Sequence, residues 1–593
     1  MIPPRLAVAA ALMSLASVVH AQVTLSHVGR YQSPTVKFDA GAAEIVAYDR
    51  ATRRIFVVNA QEASVDVLNA SDPSYPVKIG RIDLKAIPGV DPARIGAANS
   101  VAARDGLLAV AVEAVPKTEP GLIAFYDTAS GFDQPVVPLK TVATGAQPDA
   151  VTFANTGHFV ITANEGEPTA DADPEGSITI VDVRPRGGQR RFDSCTADFQ
   201  SFNSQREALI AAGVIIDPSA ASVAQDLEPE FVVAVGNNAY VTLQEANAIA
   251  VVQLNQCRIQ RIMPLGFKDH GLARNSIDTS DREILSENPP GFRGRILLRN
   301  WSNLFGVYQP DGIAAFAADD GETYLLIANE GDARDPVGKR PGSSLRVKDL
   351  PLPLCAGAFQ SAAAIGNNPA DDKNLGRLTV LQFRGKTKDA RGAGCYGKLY
   401  PLGGRSFSIL TNDGRIVYDS ANEFEAKIAS LTCPASATDC SGYPLPKQAF
   451  NANHTNNSAG AVPGESSAET FDSRSDDKGP EPEGIVVGRV GGRVYAFIGL
   501  ERIGGVMIYD VTTPAAAFFV SYVNFRDFAQ PVCTTVNSNG TCASATPNPA
   551  AGDLGPEGLA FVAAEDSPTG RAMLIVGNEV SGSTSIFEVV PTY

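Results

Sequence analysis

The stretch PEGIVVGRVGGRVYAFIGLERIGGVMIYDV, from Pro482 to Val511, decides the fold. It contains a short β-rich run, a Gly-Gly turn, a second β-rich run followed by Glu501, a polar loop and a third run that ends in Asp510. Three such runs joined by tight turns are typical of a β-meander. The same pattern recurs along the chain, and internal repetition is the sequence signature of propellers and solenoids.

Six further copies align with this stretch. Their first residues are Pro148, Glu228, Pro310 and Pro556 for the four clear copies, and Ala42 and Ala98 for the two fainter ones. Helical periodicity is confined to short pieces such as Ser204 to Ala212, so alternating α/β folds fit poorly. The sequence therefore predicts an all-β fold, a seven-bladed β-propeller.

The closure of the ring can also be predicted. The seventh copy runs to the end of the chain and leaves no fourth strand, whereas Thr24 to Tyr31 (TLSHVGRY) precedes the first copy as Ser521 to Phe528 (SYVNFRDF) precedes the last. A propeller commonly completes its last blade with a strand from the other chain end, which removes a free edge. We expect Thr24 to Tyr31 to be the outer strand of the seventh blade.

We expect residues 22–593 to form one domain with long insertions. About 570 residues over seven blades exceed the ~40 to 50 residues typical of one blade, so loops must hold the surplus. These predicted insertions cover about residues 184–225, 266–309, 335–404, 421–478 and 531–554. Large loops on a rigid scaffold are where specificity usually resides.

The first 21 residues have the features of a signal peptide: one Arg, a short apolar stretch, and then Val19-His20-Ala21, a small-x-small cleavage pattern. We expect cleavage after Ala21. No other stretch approaches the ~20 apolar residues of a membrane-spanning helix. The expected location is periplasmic or secreted, with no transmembrane segment.

The eight cysteines indicate an oxidising compartment, since they are even in number and lack the CxxC spacing of metal sites. Spacing cannot prove connectivity, but chain order suggests Cys195 with Cys257, Cys355 with Cys395, Cys433 with Cys440 and Cys533 with Cys542. A net charge of −16 argues against nucleic acid and against an anionic membrane as partners. Cations and small ligands remain open.

Two rings of acidic residues emerge when the copies are aligned. The first run opens with Glu44, Asn99, Asp149, Glu230, Asp311, Glu483 and Glu557, and the second run closes with Glu62, Glu113, Glu165, Glu245, Glu330, Glu501 and Glu579. In a propeller both positions face the same mouth of the central channel. Carboxylates roughly 5 to 8 Å apart would repel by about a few kcal/mol per pair, so something must neutralise them.

A hard cation is one solution. Oxygen-only ligands favour Ca²⁺ first and Mg²⁺ second, and only five histidines in the chain argue against Zn²⁺. The predicted ligands are Glu165, Glu167, Glu245, Glu330, Asp332, Glu501 and Glu579, with Asp171 to Gly176 as a possible addition. The alternative is that the ring acids accept hydrogen bonds from turn amides of adjacent blades and only hold the blades together.

Positive charges near this face are few. Arg334 follows the Glu330 motif, Arg502 follows Glu501, and Arg474 with Lys478 precedes Glu483. An arginine beside a metal can bind phosphate or carboxylate, which makes Arg334 and Arg502 the catalytic candidates if the protein is an enzyme. Each could equally pair with ring acids for structure.

The motifs NEGEP, TLQEANAIAVV, NEGDAR, FDSRSDDKGPEPEG and GLERIGGVMIYD resemble the choice-of-anchor I family, which is related to mesenchyme-specific cell-surface glycoproteins. The resemblance extends over nearly the whole chain after residue 21 and implies a propeller of the YVTN/WD40-like class. Members are often labelled alkaline phosphatase-like or phytase-like, a label that fold alone does not support. The family's variable C-terminal anchor has no counterpart before Tyr593, which favours a periplasmic or released protein.

Two functions fit these features. One is a cation-binding module for adhesion, matrix or mineral handling. The other is a Ca²⁺-dependent phosphoester hydrolase acting on phosphorylated small molecules, with Arg334 or Arg502 holding the phosphate. The sequence contains no convincing GxSxG elbow, Cys/His pair or P-loop that would indicate covalent hydrolysis.

Overall fold

Seven sheets, each of four antiparallel strands, surround a central channel in the computed structural model. The structure describes residues 22–284, 294–338, 340–454, 471–535, 542 and 546–592, so the predicted signal peptide lies outside the described residues. The first strands of successive sheets contact one another, and the first strand of the seventh sheet contacts that of the first, which closes the ring. The predicted seven-bladed propeller is confirmed.

The sheets are numbered here as blades 1 to 7, with strands given from the channel outward. Blade 1 comprises Val46–Asp49, Arg54–Asn59, Ser64–Asn69 and Val77–Asp83. Blade 2 comprises Ile95–Arg104, Leu107–Ala114, Pro120–Asp127 and Lys140–Ala146. Blade 3 comprises Pro148–Phe153, Phe159–Asn164, Ser177–Asp182 and Asp193–Asp198. Blade 4 comprises Pro229–Val235, Asn238–Leu243, Ala248–Gln253 and Arg258–Pro264.

The last three blades continue in the same order. Blade 5 comprises Ile313–Ala317, Thr323–Asn329, Ser406–Thr411 and Ile416–Asp419. Blade 6 comprises Pro482–Val490, Arg493–Leu500, Val506–Asp510 and Phe518–Val523. Blade 7 comprises Pro556–Val562, Met573–Asn578, Ser583–Thr592 and, as its outer strand, Gln22–Gln32.

Smaller elements lie between and within the blades. Four two-stranded ribbons pair Pro185–Arg186 with Gln189–Arg190, Phe267–Asp269 with Phe305–Val307, Ser344–Arg346 with Thr379–Leu381, and Lys386–Lys388 with Gly394–Tyr396. The α-helices of the described chain are Arg206–Ala212, within the predicted helical piece, and Glu423–Leu431, which the sequence analysis missed. None of the described helices is long and apolar enough to cross a membrane.

The second strands are apolar on both faces because neighbouring blades cover both. Every residue of Phe159–Asn164 and of Met573–Asn578 is buried. Such strands read as continuous apolar runs rather than as an alternating pattern. One apolar cluster packs Phe56 of blade 1 with Val110 of blade 2, and another packs Phe497 of blade 6 with Leu574 of blade 7. Burial between blades therefore holds the ring together.

The first described strand completes blade 7, as predicted. Gln22–Gln32 pairs antiparallel with Ser583–Thr592, from Gln22 opposite Thr592 to Gln32 opposite Ser583. Its Val23 and Leu25 are buried against blades 6 and 7. The pairing leaves the outer edge of the last blade without the unpaired backbone groups of an open sheet.

One blade strand lies inside a predicted insertion. Asp193–Asp198 falls inside the predicted insertion 184–225 but is the outer strand of blade 3, pairing with Ser177–Asp182. Its sequence, DSCTAD, is too polar to show a strand pattern because an outer strand faces solvent on one side. The four disulfides join the cysteines in the pairs that chain order suggests, with Cα–Cα distances of 5.0 to 6.3 Å.

Candidate functional site at the channel mouth

The acid that opens a first strand lies in a β-bulge. In blade 3, Pro148 is opposite Asn164 but the next pair is Val151 with Thr162, so two residues including Asp149 face one residue of the partner strand. The same irregularity follows the opening proline of blades 4, 6 and 7. A bulge turns a side chain out of the regular ladder. In blades 3, 4, 6 and 7 the Pro-acid pair thus directs one acid toward the channel.

A glycine after the acid lets neighbouring blades approach. A Cβ atom at Gly484 would lie 2.0 Å from the Glu557 carbonyl oxygen, and one at Gly312 would lie 2.5 Å from the Glu483 carbonyl oxygen. Real side chains do not tolerate such distances. The Asp/Glu-Gly pairs of blades 5 and 6 therefore bring successive acids of the ring together.

The residue before the opening proline anchors the second ring. Gln147 and Glu481 have left-handed backbones, with φ of 49° and 50°. Their carbonyl oxygens accept hydrogen bonds from the backbone N–H of Glu165 and of Glu501, both at 2.9 Å. This contact holds the end of each second strand beside the start of the first, so both ring positions lie at one face.

Two adjoining cavities, of about 430 and 230 Å³, occupy the mouth and share the side chains of Asp149, Phe231, Glu557 and Glu579. All seven first-ring residues border one or both of them: Glu44, Asn99, Asp149, Glu230, Asp311, Glu483 and Glu557. From the second ring, the residues that border them are Glu165, Glu330, Glu501 and Glu579.

The other three second-ring glutamates lie elsewhere. Glu62 bonds Arg81 at 2.8 Å on the blade 1 side. Glu113 is half-buried beside Asn99 and Lys117. Glu245 is buried behind the lining, 5% exposed, where Arg334 offsets part of its charge. Equivalent sequence positions therefore do not give equivalent places in the site.

Two cations border the mouth, and both are tied to one buried glutamate. Lys478 contacts Glu481 at 3.1 Å and also pairs closely with Glu330, while Arg502 contacts Glu481 at 3.2 Å and Glu501 at 3.0 Å. Arg474 contacts the same Glu481 at 2.6 Å. Although burial opposes it, these three cations hold the pKa of Glu481 well below its usual range. Glu481 thus positions the positive charges beside the ring.

A second group of acids has no such compensation. Asp311, Glu483 and Glu557 each place one carboxylate oxygen within 4.8 Å of the others. Within the described chain, no Lys or Arg makes an ion pair with any of these three residues, and the Glu483 Oε2 atom is buried without a hydrogen-bond partner. Glu230 has a similarly unpartnered Oε2 atom. The first ring therefore concentrates carboxylates that make no ion pair with a described Lys or Arg, although Lys478 lowers the pKa of Asp311 from a greater distance.

The pKa values of the mouth acids reflect this crowding. Burial, together with Glu579 and Asp149, raises the pKa of Glu44 to about 9. Burial and the nearby acids raise the pKa of Asp149 to about 7, and burial raises that of Asp311 to about 6. Burial followed by Glu330, Asp311 and Glu557 raises the pKa of Glu483 well above its usual value. Without a cation, protons would neutralise part of the ring.

One histidine joins the acids. His454 is 4% exposed and its Nδ1 atom lies 3.7 Å from the Glu501 Oε1 atom. Arg502 Nη1 lies 2.7 Å from His454 Nε2, so the arginine donates and the imidazole accepts. Burial and the adjacent Arg502 hold the pKa of His454 well below its usual value, which keeps its imidazole neutral. Together with Glu579, His454 and Glu501 form another group whose ligand atoms lie within 4.8 Å.

The predicted ligands outside the two rings are Glu167, Asp332 and the Asp171 to Gly176 segment, and most of them do not border the mouth cavities. Glu167 lies beside Lys117 and accepts a hydrogen bond from Gln147 at 2.7 Å. Asp332 borders the larger cavity but is exposed, 3.9 Å from Lys478. The Asp171 to Gly176 segment does not border the mouth cavities. Of these acids, only Asp332 borders the mouth.

The structure separates the two candidate arginines. Arg502 borders the mouth cavity, whereas Arg334 is 7% exposed and lies 3.3 Å from Asp226 and 3.4 Å from Glu228. Two buried acids thus occupy Arg334, which favours its structural interpretation. The sequence analysis missed Glu481 and His454. The GPEPEG motif contains Glu481 two residues before Glu483, but nothing in the sequence singles out His454.

Known proteins show where this architecture belongs. The sequence model of the choice-of-anchor I domain family matches residues 44–514, which make up most of the propeller. The chain belongs to the choice-of-anchor I family. This agrees with the resemblance carried by the NEGEP, NEGDAR and GPEPEG motifs.

One similar protein is Gigasin-3a of Magallana gigas, 30% identical over 219 residues, which are 37% of this chain and 66% of Gigasin-3a. The chain thus spans just under two thirds of that relative. Among solved structures, Kuenenia stuttgartiensis hydrazine synthase is 11% identical, with 95% and 99% of the two chains covered and a TM-score of 0.40. The Cps50 (Swd1) β-propeller domain of Myceliophteria thermophila is 7% identical, with 96% and 100% covered and a TM-score of 0.37. Likenesses this weak say nothing about activity.

Proposed function

We propose that this choice-of-anchor I protein is a divalent-cation-binding propeller that acts outside the cytoplasm as a binding, adhesion or mineral-handling module. The proposed site is the channel mouth, with Ca²⁺ as the first candidate ion and Mg²⁺ as the second. Four disulfides fit an oxidising compartment and support the periplasmic or secreted location.

One observation carries the proposal: Asp311, Glu483 and Glu557 converge within 4.8 Å and lack a cationic partner among the described residues. Calcium binds oxygens at about 2.3 to 2.6 Å, so opposite ligands of one ion are about 5 Å apart. Three such carboxylates fit one ion with room for water. The single imidazole near the mouth, His454, gives little support to zinc, which prefers several nitrogen or sulfur ligands.

The test is calcium titration by calorimetry after EGTA treatment, comparing the wild type with Glu483→Gln. The substitution removes one charge and keeps the side-chain size, so calcium affinity should fall at least about tenfold, which corresponds to about 1.4 kcal/mol. Glu330 is a poorer choice, because its carboxylate pairs with Lys478 and accepts a hydrogen bond from Gln244 at 2.8 Å. Removing that charge would leave Lys478 short of a partner.

Glu588→Gln is the matched control. Glu588 lies on Ser583–Thr592 and contacts the exposed Arg571 at 2.9 Å, away from the mouth cavities. It should bind calcium as the wild type does. At a free calcium concentration 100 times Kd, binding should stabilise the wild type by about 2.7 kcal/mol. Identical titrations for the wild type and Glu483→Gln, or no binding by the wild type, would contradict the proposed site.

The alternative function is a calcium-dependent phosphoester hydrolase, and the placement of Arg502 and Lys478 beside the acids supports it. A metal ion there would activate water or polarise the phosphoryl group, and Arg502 would hold a phosphate oxygen. Hydrolysis of p-nitrophenyl phosphate that stops with EGTA would favour this function. Arg502→Ala should then lower turnover more than calcium affinity. If no calcium-dependent turnover is measured, the hydrolase function is excluded and the cation-binding function is retained.

A further inference from the structure

A second set of buried carboxylates lies where the insertion after blade 4 meets the insertion between blades 5 and 6, apart from the residues that line the mouth. We call it the insertion cluster: Asp278, Glu283, Glu425 and Asp472, which are 0%, 7%, 1% and 0% exposed. Asp278 and Glu283 belong to the insertion after blade 4. Glu425 lies on the helix Glu423–Leu431 after blade 5, and Asp472 precedes blade 6. Four acids at this depth require compensation.

Two buried arginines compensate part of the charge. Arg299 Nη2 donates to Glu283 Oε1 at 2.9 Å, and Arg405 Nη1 donates to Glu425 Oε1 at 2.9 Å. The remaining N–H groups of Arg405 bond carbonyl oxygens, including that of Asp278 at 2.6 Å. Each arginine therefore satisfies one oxygen of one acid and leaves the rest of the cluster to other partners.

Every acid of the cluster retains an oxygen without a partner. The buried atoms that make no hydrogen bond are Asp278 Oδ1, Glu283 Oε2, Glu425 Oε2 and Asp472 Oδ2. Asn451, which is 0% exposed, adds an unpartnered Oδ1 atom while its Nδ2 atom donates to Glu425 Oε1 at 2.8 Å. A buried acceptor without a partner costs about 1–3 kcal/mol, and a charged one costs more. Five such oxygens in one network indicate a missing positive partner.

Among the described residues, the ion pairs of the cluster acids are those with Arg299 and Arg405. The adjacent acids Asp281 and Asp476 both pair with Arg377, which lies 2.8 Å from Asp476. Asp476 also contacts Arg346 at 3.1 Å. Arg282 also pairs closely with Asp281, so these three arginines are held by the two adjacent acids. When the four cluster acids are ionised, the described ion pairs with Arg299 and Arg405 offset only part of their negative charge.

We propose that a divalent cation, Ca²⁺ by its preference for oxygen ligands, binds in the insertion cluster and links the insertion after blade 4 to the insertion between blades 5 and 6. Carboxylate and amide oxygens are the ligands such an ion takes. Among the described residues, the acid groups whose ligand atoms lie within 4.8 Å of one another are at the mouth. Ion binding in the insertion cluster therefore requires its side chains to move closer together. Such an ion would fix the insertion that brings Lys478 to the mouth without being part of the mouth site. This inference does not rest on the proposed function.

The single tryptophan of the chain provides the test. Trp301 is fully buried, with its ring centroid 5.8 Å from the Arg299 guanidinium carbon, and Arg299 bonds Glu283. Tb³⁺ substitutes for Ca²⁺ and emits when a nearby excited indole transfers energy to it. Exciting the wild type where tyrosine does not absorb should give Tb³⁺ emission that excess Ca²⁺ abolishes.

Two variants separate this site from the mouth. Glu483→Gln should retain the tryptophan-sensitised emission, whereas Asp472→Asn should lose it while keeping the mouth's calcium binding. Glu425→Gln serves if Asp472→Asn does not fold, as judged by circular dichroism. The proposal is overturned if Tb³⁺ binds the wild type without tryptophan-sensitised emission. It is also overturned if the emission disappears in Glu483→Gln but survives in folded Asp472→Asn, because the ion would then occupy the mouth alone.

Discussion

The apo protein should lose stability as the pH rises, and Asp149 offers a place to measure this. Burial and the acids around it raise the pKa of Asp149 from 3.8 to about 7 in the folded state. Between these values the folded state binds a proton that the unfolded state has released, so protonation stabilises the fold. The stabilisation is complete below the unfolded pKa and disappears as the pH rises through about 7.

The magnitude follows from the linkage relation. Each pH unit between the two pKa values changes the free energy of unfolding by about 1.4 kcal/mol per group, so the step from about pH 5.5 to 7 costs about 2 kcal/mol for Asp149. This is an upper figure, because the side chain is only partly buried and solvent screens it. Glu44 and Glu579, whose pKa values rise to about 9 and about 7, act in the same direction.

Urea unfolding in EGTA at the two pH values, followed by circular dichroism, measures the effect. Asp149→Asn keeps the shape and removes the titration, so its midpoint should depend less on pH than that of the wild type. Saturating calcium should flatten the wild-type dependence, because the ion replaces the protons. A wild-type midpoint in EGTA that rises with pH, or the same slope in Asp149→Asn, would refute the reasoning.

Three further outcomes are expected. Thiol titration of the denatured, non-reduced protein should read near zero, because all eight cysteines are in disulfides. Gly484→Ala should lower the free energy of unfolding by about 1–3 kcal/mol through its clash with the Glu557 carbonyl, whereas Gly442→Ala, with nothing within 4 Å, should not; equal urea midpoints would contradict this. Deleting Gln22–Gln32 should expose the edge of Ser583–Thr592 and cause aggregation, measured by light scattering; a monomeric variant would contradict the role of that strand.

The sequence is sufficient to predict the fold because each blade repeats the same sequence pattern. Each opening Pro-acid pair, each apolar second run and the unpaired strand Thr24 to Tyr31 are local patterns with one structural meaning, and the structure confirms them. The outer strand Asp193–Asp198 escaped prediction because it is short and polar. The helix Glu423–Leu431 escaped because it lies in a long insertion outside the repeat.

The candidate site was predictable only in outline. Alignment of the copies locates the ring positions but not the charges that long insertions bring to them. Arg334 lies four residues after Glu330, yet its partners are Asp226 and Glu228, more than 100 residues away in sequence. His454 contacts Arg502 across 48 residues. Such contacts depend on the tertiary path of the insertions, which no local pattern encodes.

The mouth is asymmetric, and this asymmetry bears on where the proposed cation would bind. In blade 2 the first-ring position is the neutral Asn99, and in blades 1 and 2 the second-ring glutamates do not border the cavities. Blades 5, 6 and 7 instead supply Asp311, Glu483 and Glu557, pressed together where glycine follows the acid. The insertion before blade 6 adds cations beside this group and not within it. The proposed cation would therefore bind on the side of blades 5 to 7, where these three acids converge beside Lys478 and Arg502. An anionic ligand could then contact both the cation and Arg502.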